Sequence, residues 1–171
     1  MSRPPEISHI FSILALPFNV IVTAPVIISV LDKNSKFGWG LSPAFKIALF
    51  IAGGVLIVAG MCLLIITIGM FIRIGKGTLA PWNPTRKLVV TGPYRYVRNP
   101  MISGVIFILI GETMIIGSVY LVVMAGVFFA VNHLYFIFVE EPGLIKRFGE
   151  EYRVYKKNVG RWLPRFTPWE K

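Results

Sequence analysis

Four apolar runs dominate this chain, and they limit its folding more than any other feature. A bilayer core is crossed by about 20 apolar helical residues, somewhat more when the helix tilts. On that measure, spans fall at residues 7–31, 43–73, 100–116 and 118–139. Gly117–Ser118 turns the third span directly into the fourth, so these two form a helical hairpin. Pro17 and Pro25 should kink the first span, which membrane helices tolerate where neighbours satisfy the freed carbonyls. In the second span Ala48, Ala52, Gly53, Gly60 and Gly69 are small enough to let another helix approach closely. Trp39, in the turn-rich "DKNSKFGWG" loop, reads as an interface anchor.

With 55% hydrophobic and 15% charged residues, a soluble domain of 171 residues could not hide its apolar surface, so lipid is the expected solvent. The net charge of +10 raises nucleic acid as a partner, but the basic residues lie in loops and tail beside the spans. That distribution is how membrane orientation is written. With four spans, fifteen of the eighteen lysines and arginines share one side, against Lys33, Lys36 and Lys46 on the other. Both termini are therefore expected in the cytoplasm. The first apolar run is too long for a signal-peptide core and is read as retained. Cys62, the one cysteine, lies mid-span and forms no disulfide framework. The expected fold is a single domain over 1–171, an all-α multi-pass integral membrane protein. It has four transmembrane helices, a C-terminal helical hairpin and a cytoplasmic amphipathic helical tail. In that tail Leu144, Ile145, Phe148, Tyr152 and Tyr155 recur at helical spacing.

Two polar stretches carry the chemistry. "GPYRYVRNPMISG", residues 92–104, places Arg95 and Arg98 beside Asn99–Pro100, an N-cap and first-position pair that starts the third span. The helix start points amides toward the interface and suits an anionic group. The arginines either anchor the helix or bind a ligand. "VEEPGLIKRFGEEYRVYKKNVGRWLPR" puts Glu140 and Glu141 at the end of the fourth span, where acid opposes the helix dipole and should be offset. Arg95 or Arg98 across the hairpin could do so. The acids are then a structural ion pair, or a carboxylate for a ribose diol or a cationic group.

These residues carry a resemblance. From Leu88 to Arg165 the chain resembles the isoprenylcysteine carboxyl methyltransferase family, which is related to phospholipid methyltransferases. The family pattern "G-x-Y-x-x-x-R-[HN]-P-x-Y" is met by Gly92, Tyr94, Arg98, Asn99 and Pro100. After the hairpin, "E-E-x-x-L-x-x-x-F-G-x-x-Y-x-x-Y" is met by Glu140, Glu141, Leu144, Phe148, Gly149, Tyr152 and Tyr155, and "R-x-x-P" by Arg161 and Pro164. Asn99 stands where histidine is common, and Ile102 where the pattern has tyrosine. The first half matches only as generic membrane helices.

The resemblance implies S-adenosylmethionine as methyl donor, bound over residues 88–165. Tyr94, Arg98, Asn99 and Pro100 would wall it on one side, and Glu140, Glu141, Tyr152, Tyr155 and Arg161 on the other. Leu144 and Phe148 would pack the tail onto the adenine region, with Arg98 and Glu141 the expected catalytic pair. The implied partner is a lipophilic methyl acceptor entering from the bilayer, first a carboxylate such as a prenylcysteine-like group, otherwise an amine or thiol.

Ile102, Glu112, Asn132 and His133 are expected to line the acceptor cavity. For His133 an interhelical hydrogen bond is the competing role, and no second histidine stands at metal-ligand spacing, so no metal is expected. Two other readings compete: a sterol-reductase-like enzyme, for whose membrane core the chain is too short, and a non-enzymatic basic adaptor gripping anionic lipids.

Overall fold

The computed structural model describes residues 18–70, 73 and 88–170, in which helices are joined by turns and no strand occurs. Of the expected first span, residues 7–17 with Pro17 lie outside the described residues, as do 71, 72 and 74–87. Five helices follow in order: α1 (Asn19–Leu31), α2 (Pro43–Met70), α3 (Pro100–Ile116), α4 (Val119–Phe148) and α5 (Glu150–Asn158). Two of them, α2 and α4, are long and apolar enough to cross a membrane, with mean hydropathies of 2.8 and 2.1. α1 and α3 are shorter apolar helices.

The fourth span and the tail were expected as separate elements broken at the paired acids, but α4 runs straight through them for 30 residues. Pro142 offers no amide to the preceding turn, which would ordinarily break the helix. A π-turn at Phe136–Glu140 accommodates it: the Glu141 amide bonds Phe136 O, one residue further back than in an α-helix. α1 uses the same device, a π-turn at Asn19–Thr23 immediately before Ala24–Pro25. The acids therefore do not oppose a helix C-terminus.

α2 and α3 pack through glycines spaced seven apart on each helix. A Cβ on Gly60 would stand 2.5 Å from Gly104 O, and one on Gly111 would stand 2.5 Å from Gly53 O. The antiparallel backbones touch, as small residues permit in lipid. Of the small residues expected to allow this, Gly53 and Gly60 do so, whereas Gly69 meets nothing within 4 Å among the described residues. Leu64 of α2 and Val105, Ile108 and Leu109 of α3 form the buried core beside this seam.

Residues 32–40 close over the α3–α4 turn. Gly117 takes φ of +72° and ends α3, and a Cβ there would collide with the Lys36 carbonyl. Trp39 Nε1 donates to Thr113 O at 3.2 Å, a carbonyl that also accepts the Gly117 amide at 3.0 Å, so the loop is pinned on the last turn of α3. Buried Ser118 donates to buried Asp32, so the turn that looks uncharged in sequence carries a carboxylate brought by α1.

Candidate functional site

At the opposite end of the helices the tail folds back on residues 88–99. Arg98 N donates to Gly160 O at 2.9 Å, Arg165 N to Tyr96 O at 2.9 Å and Trp169 N to Arg95 O at 2.9 Å. Beneath this seam Tyr152, Tyr155 and Val159 form a second buried cluster, against which Leu88, Val90, Leu144, Ile145, Phe148 and Trp169 pack. The Tyr155 hydroxyl donates to Tyr94 O at 2.6 Å, tying α5 to the 3-10 turn Gly92–Arg95.

Glu141 is at the centre. Its side chain is 3% exposed, and three cations converge on it. Arg98 Nη1 donates to Oε1 at 2.8 Å, Arg161 Nε to Oε1 at 2.7 Å, and Lys156 Nζ to Oε2 at 2.6 Å. The same Arg98 Nη1 also reaches the Tyr152 hydroxyl at 3.2 Å. One carboxylate against three cations leaves two positive charges in excess. Arg98 is itself only 8% exposed, and its buried Nε has no hydrogen-bond partner among the described residues. A desolvated, unsatisfied donor beside surplus positive charge is chemistry suited to an anion.

A cavity of about 440 Å³ adjoins this cluster, lined by Leu63, Pro93, Tyr96, Val97, Ser103, Ile106, Phe107, Phe129, Trp162 and Pro164. Its wall is almost wholly apolar and aromatic. Val97 precedes Arg98 and Trp162 follows Arg161, so on two separate segments a cavity residue is chain-adjacent to a cluster residue. Neighbouring Cα atoms are 3.8 Å apart, so the two segments that carry Arg98 and Arg161 also wall the hollow, although the lining includes none of the charged residues themselves.

The structure redistributes the residues singled out from sequence. Arg98, Glu141, Tyr152 and Arg161 meet in one network. Glu140, one position from Glu141, is directed elsewhere: it bonds the Tyr135 hydroxyl and faces Arg147, so the acids do not act as a pair. Tyr94, Pro100, Tyr152 and Tyr155 are buried within protein, and Leu144 and Phe148 pack on the α5 cluster; none of the six lines the cavity. Asn99 occupies the N-cap position with Pro100 behind it, yet its side chain makes no capping bond. Ile102 is half-buried and off the cavity, while Ser103 and Ile106 line it.

Asn132 does not line the cavity; its side chain donates back to Phe128 O at 2.8 Å on its own helix. His133 bonds the returning tail and not another helix, its Nδ1 accepting from Trp162 Nε1 at 2.9 Å. Glu112 is half-buried, and its Oε2 has no hydrogen-bond partner among the described residues. Lys156, Trp162 and the aromatic cavity wall were not anticipated. Lys156 is one of several similar tail lysines, and only the turn of α5 distinguishes it.

Burial pushes the Tyr94, Tyr152 and Tyr155 phenols above their ordinary value. In the unfolded chain such phenols ionise near pH 10, while the buried ones keep their protons. Above that pH the unfolded state binds fewer protons than the folded one, so stability falls as pH rises. Thermal midpoints should hold below about pH 10 and drop above it. Tyr155→Phe should start lower, by about 1 kcal/mol for the lost hydrogen bond, and fall less steeply. A midpoint unchanged up to pH 11 would contradict this.

A family model described as phospholipid methyltransferase matches residues 47–151, more than half of the chain. The match begins within α2, earlier than the motif resemblance, and ends before Arg161. No curated protein and no solved structure matches.

Proposed function

This chain belongs to the phospholipid methyltransferase family, which also includes the isoprenylcysteine carboxyl methyltransferases, and on that footing we propose that it is a membrane-embedded, S-adenosylmethionine-dependent methyltransferase for a lipophilic acceptor. The first choice of acceptor is a carboxylate such as a prenylcysteine-like group. The observation that carries this reading is the buried Arg98 Nε, which has no hydrogen-bond partner among the described residues, within a cluster of surplus positive charge on segments that also wall an apolar cavity. The residues present fit the cofactor: the cluster suits its carboxylate, and the aromatic wall suits a planar base or an apolar chain. When bound, S-adenosylmethionine supplies a methyl group on a sulfonium whose positive charge disappears on transfer.

In this reading Arg98 receives the anionic group, and Glu141 holds Arg98, Arg161 and Lys156 in place. Tyr94, Asn99, Pro100 and Glu140 frame the same end. Tyr152 and Tyr155, backed by Leu144 and Phe148, keep the tail closed over it. A carboxylate acceptor is already nucleophilic and needs no general base, so rate comes from alignment and exclusion of water. The excess of basic residues beside this end supports a cytoplasmic position for it. The family description itself favours a second reading, an amine of a phospholipid headgroup, whose transfer would require loss of a proton.

Titration of the purified protein with S-adenosylhomocysteine tests the assignment. Saturable binding is expected, weakened about ten- to a hundredfold in Arg98→Ala, since a hydrogen bond to a charged group is worth about 1.5–3 kcal/mol. Binding of anionic lipid with no nucleoside affinity would establish an adaptor instead. Methyl label released by alkali as methanol identifies an ester, and alkali-stable label an amine or thioether.

A further inference from the structure

After α5 the tail returns to the depth of the apolar helices. The Trp162 ring lies 5.3 Å from that of Phe129 and 5.7 Å from that of Phe136, in addition to its bond to His133. Those α4 residues precede Glu140 by 4 to 11 positions, so at 1.5 Å per residue Trp162 stands about 6–16 Å along the helix from the acids, toward Val119.

The residues around it face the opposite way from a loop in water. Leu163 is 82% exposed and Phe166 fully exposed. The arginines beside them turn to protein acceptors: Arg161 to Glu141, and Arg165 to the carbonyls of Asn158 and Thr167. Large apolar groups turned outward, with Arg161 held inward by Glu141 and Arg165 folded along its own segment, suit hydrocarbon as the surrounding medium. Two ties hold this irregular stretch against residues 96–98: Gly160 O, just ahead of it, accepts from Arg98 N, and the Arg165 amide within it donates to Tyr96 O.

We propose that residues 162–166 form a re-entrant wedge whose outer face is occupied by the acyl-chain layer of the bilayer. Its inner face, Trp162 and Pro164, is cavity wall, so the wedge is the partition between cavity and lipid. The inference rests on geometry and exposure alone, and it stands whether or not the proposed methyl transfer does.

Nitroxide labelling tests it. In a Cys62→Ser background, because Cys62 is exposed, Leu163→Cys, Phe166→Cys and Lys157→Cys are labelled separately. Each is placed in phosphatidylcholine–phosphatidylglycerol vesicles without cofactor. Collision with oxygen relative to a water-soluble nickel chelate should be several times greater at 163 and 166 than at exposed 157. A ratio at 163 or 166 equal to that at 157 overturns the proposal. The two wedge positions are read independently, so misfolding of one variant leaves the other as the test.

Discussion

Glu141→Ala is expected to destabilise the protein by about 3–5 kcal/mol, the usual cost of leaving buried charge uncompensated. Three cations converge on this 3%-exposed side chain, and its removal leaves Arg98, itself buried, facing Arg161 and Lys156 with no counter-charge. Because those partners come from the 88–99 segment, α5 and the returning tail, the loss should also release the tail. Trypsin cleavage at Lys156 and Arg161 should accelerate before global unfolding. Glu140→Ala is the control: one residue away, it removes only a bond to Tyr135 and an attraction to Arg147, and about 1 kcal/mol is expected. Equal effects of the two substitutions would show that the cluster does not hold the tail. Glu141→Gln keeps the shape and should still lose most of the stability, separating charge from packing.

Gly60→Val should cost about 3 kcal/mol, at the upper end for overpacked sites. The obstacle is backbone: a Cβ there stands 2.5 Å from Gly104 O and 2.7 Å from Ile108 Cγ1, so α2 and α3 must separate along the whole seam. Moving α3 displaces Ser103, Ile106 and Phe107, three cavity residues, and nucleoside affinity should weaken with stability. A Cβ on Gly54, on the same helix, meets nothing within 4 Å among the described residues, and Gly54→Val should stay within about 0.5 kcal/mol of wild type. Thermal unfolding in detergent checks the series, and a Gly60→Val protein as stable as Gly54→Val would refute the seam.

Particular residues show how far the amino-acid pattern reaches. The bounds of the helix Pro100–Ile116 were legible to the residue because Asn99–Pro100 and Gly117 punctuate it with local signals. The end of the fourth was not: charge at Glu140 and a proline at 142 argue for a stop, and only an i→i+5 turn lets the helix continue to Phe148. The Arg98–Glu141 encounter was legible as an imbalance, acid beside acid near unpaired base. Its three-to-one stoichiometry was not, because Lys156 and Arg161 reach Glu141 only through the packing of α5 and the returning tail. Tyr152 and Tyr155 stood out as motif residues, yet they serve as buried packing and hydrogen-bond partners.

Hydrophobic run length, basic-residue placement and the spaced motifs were enough to establish a helical chain built for lipid and its membership of a methyltransferase family, because those properties are local and additive along the chain. The cavity wall, the division of labour between Glu140 and Glu141, and the outward turn of Leu163 and Phe166 were decided only in three dimensions. Each depends on which face of one segment meets another far away in sequence, and no periodicity within a single segment encodes that meeting.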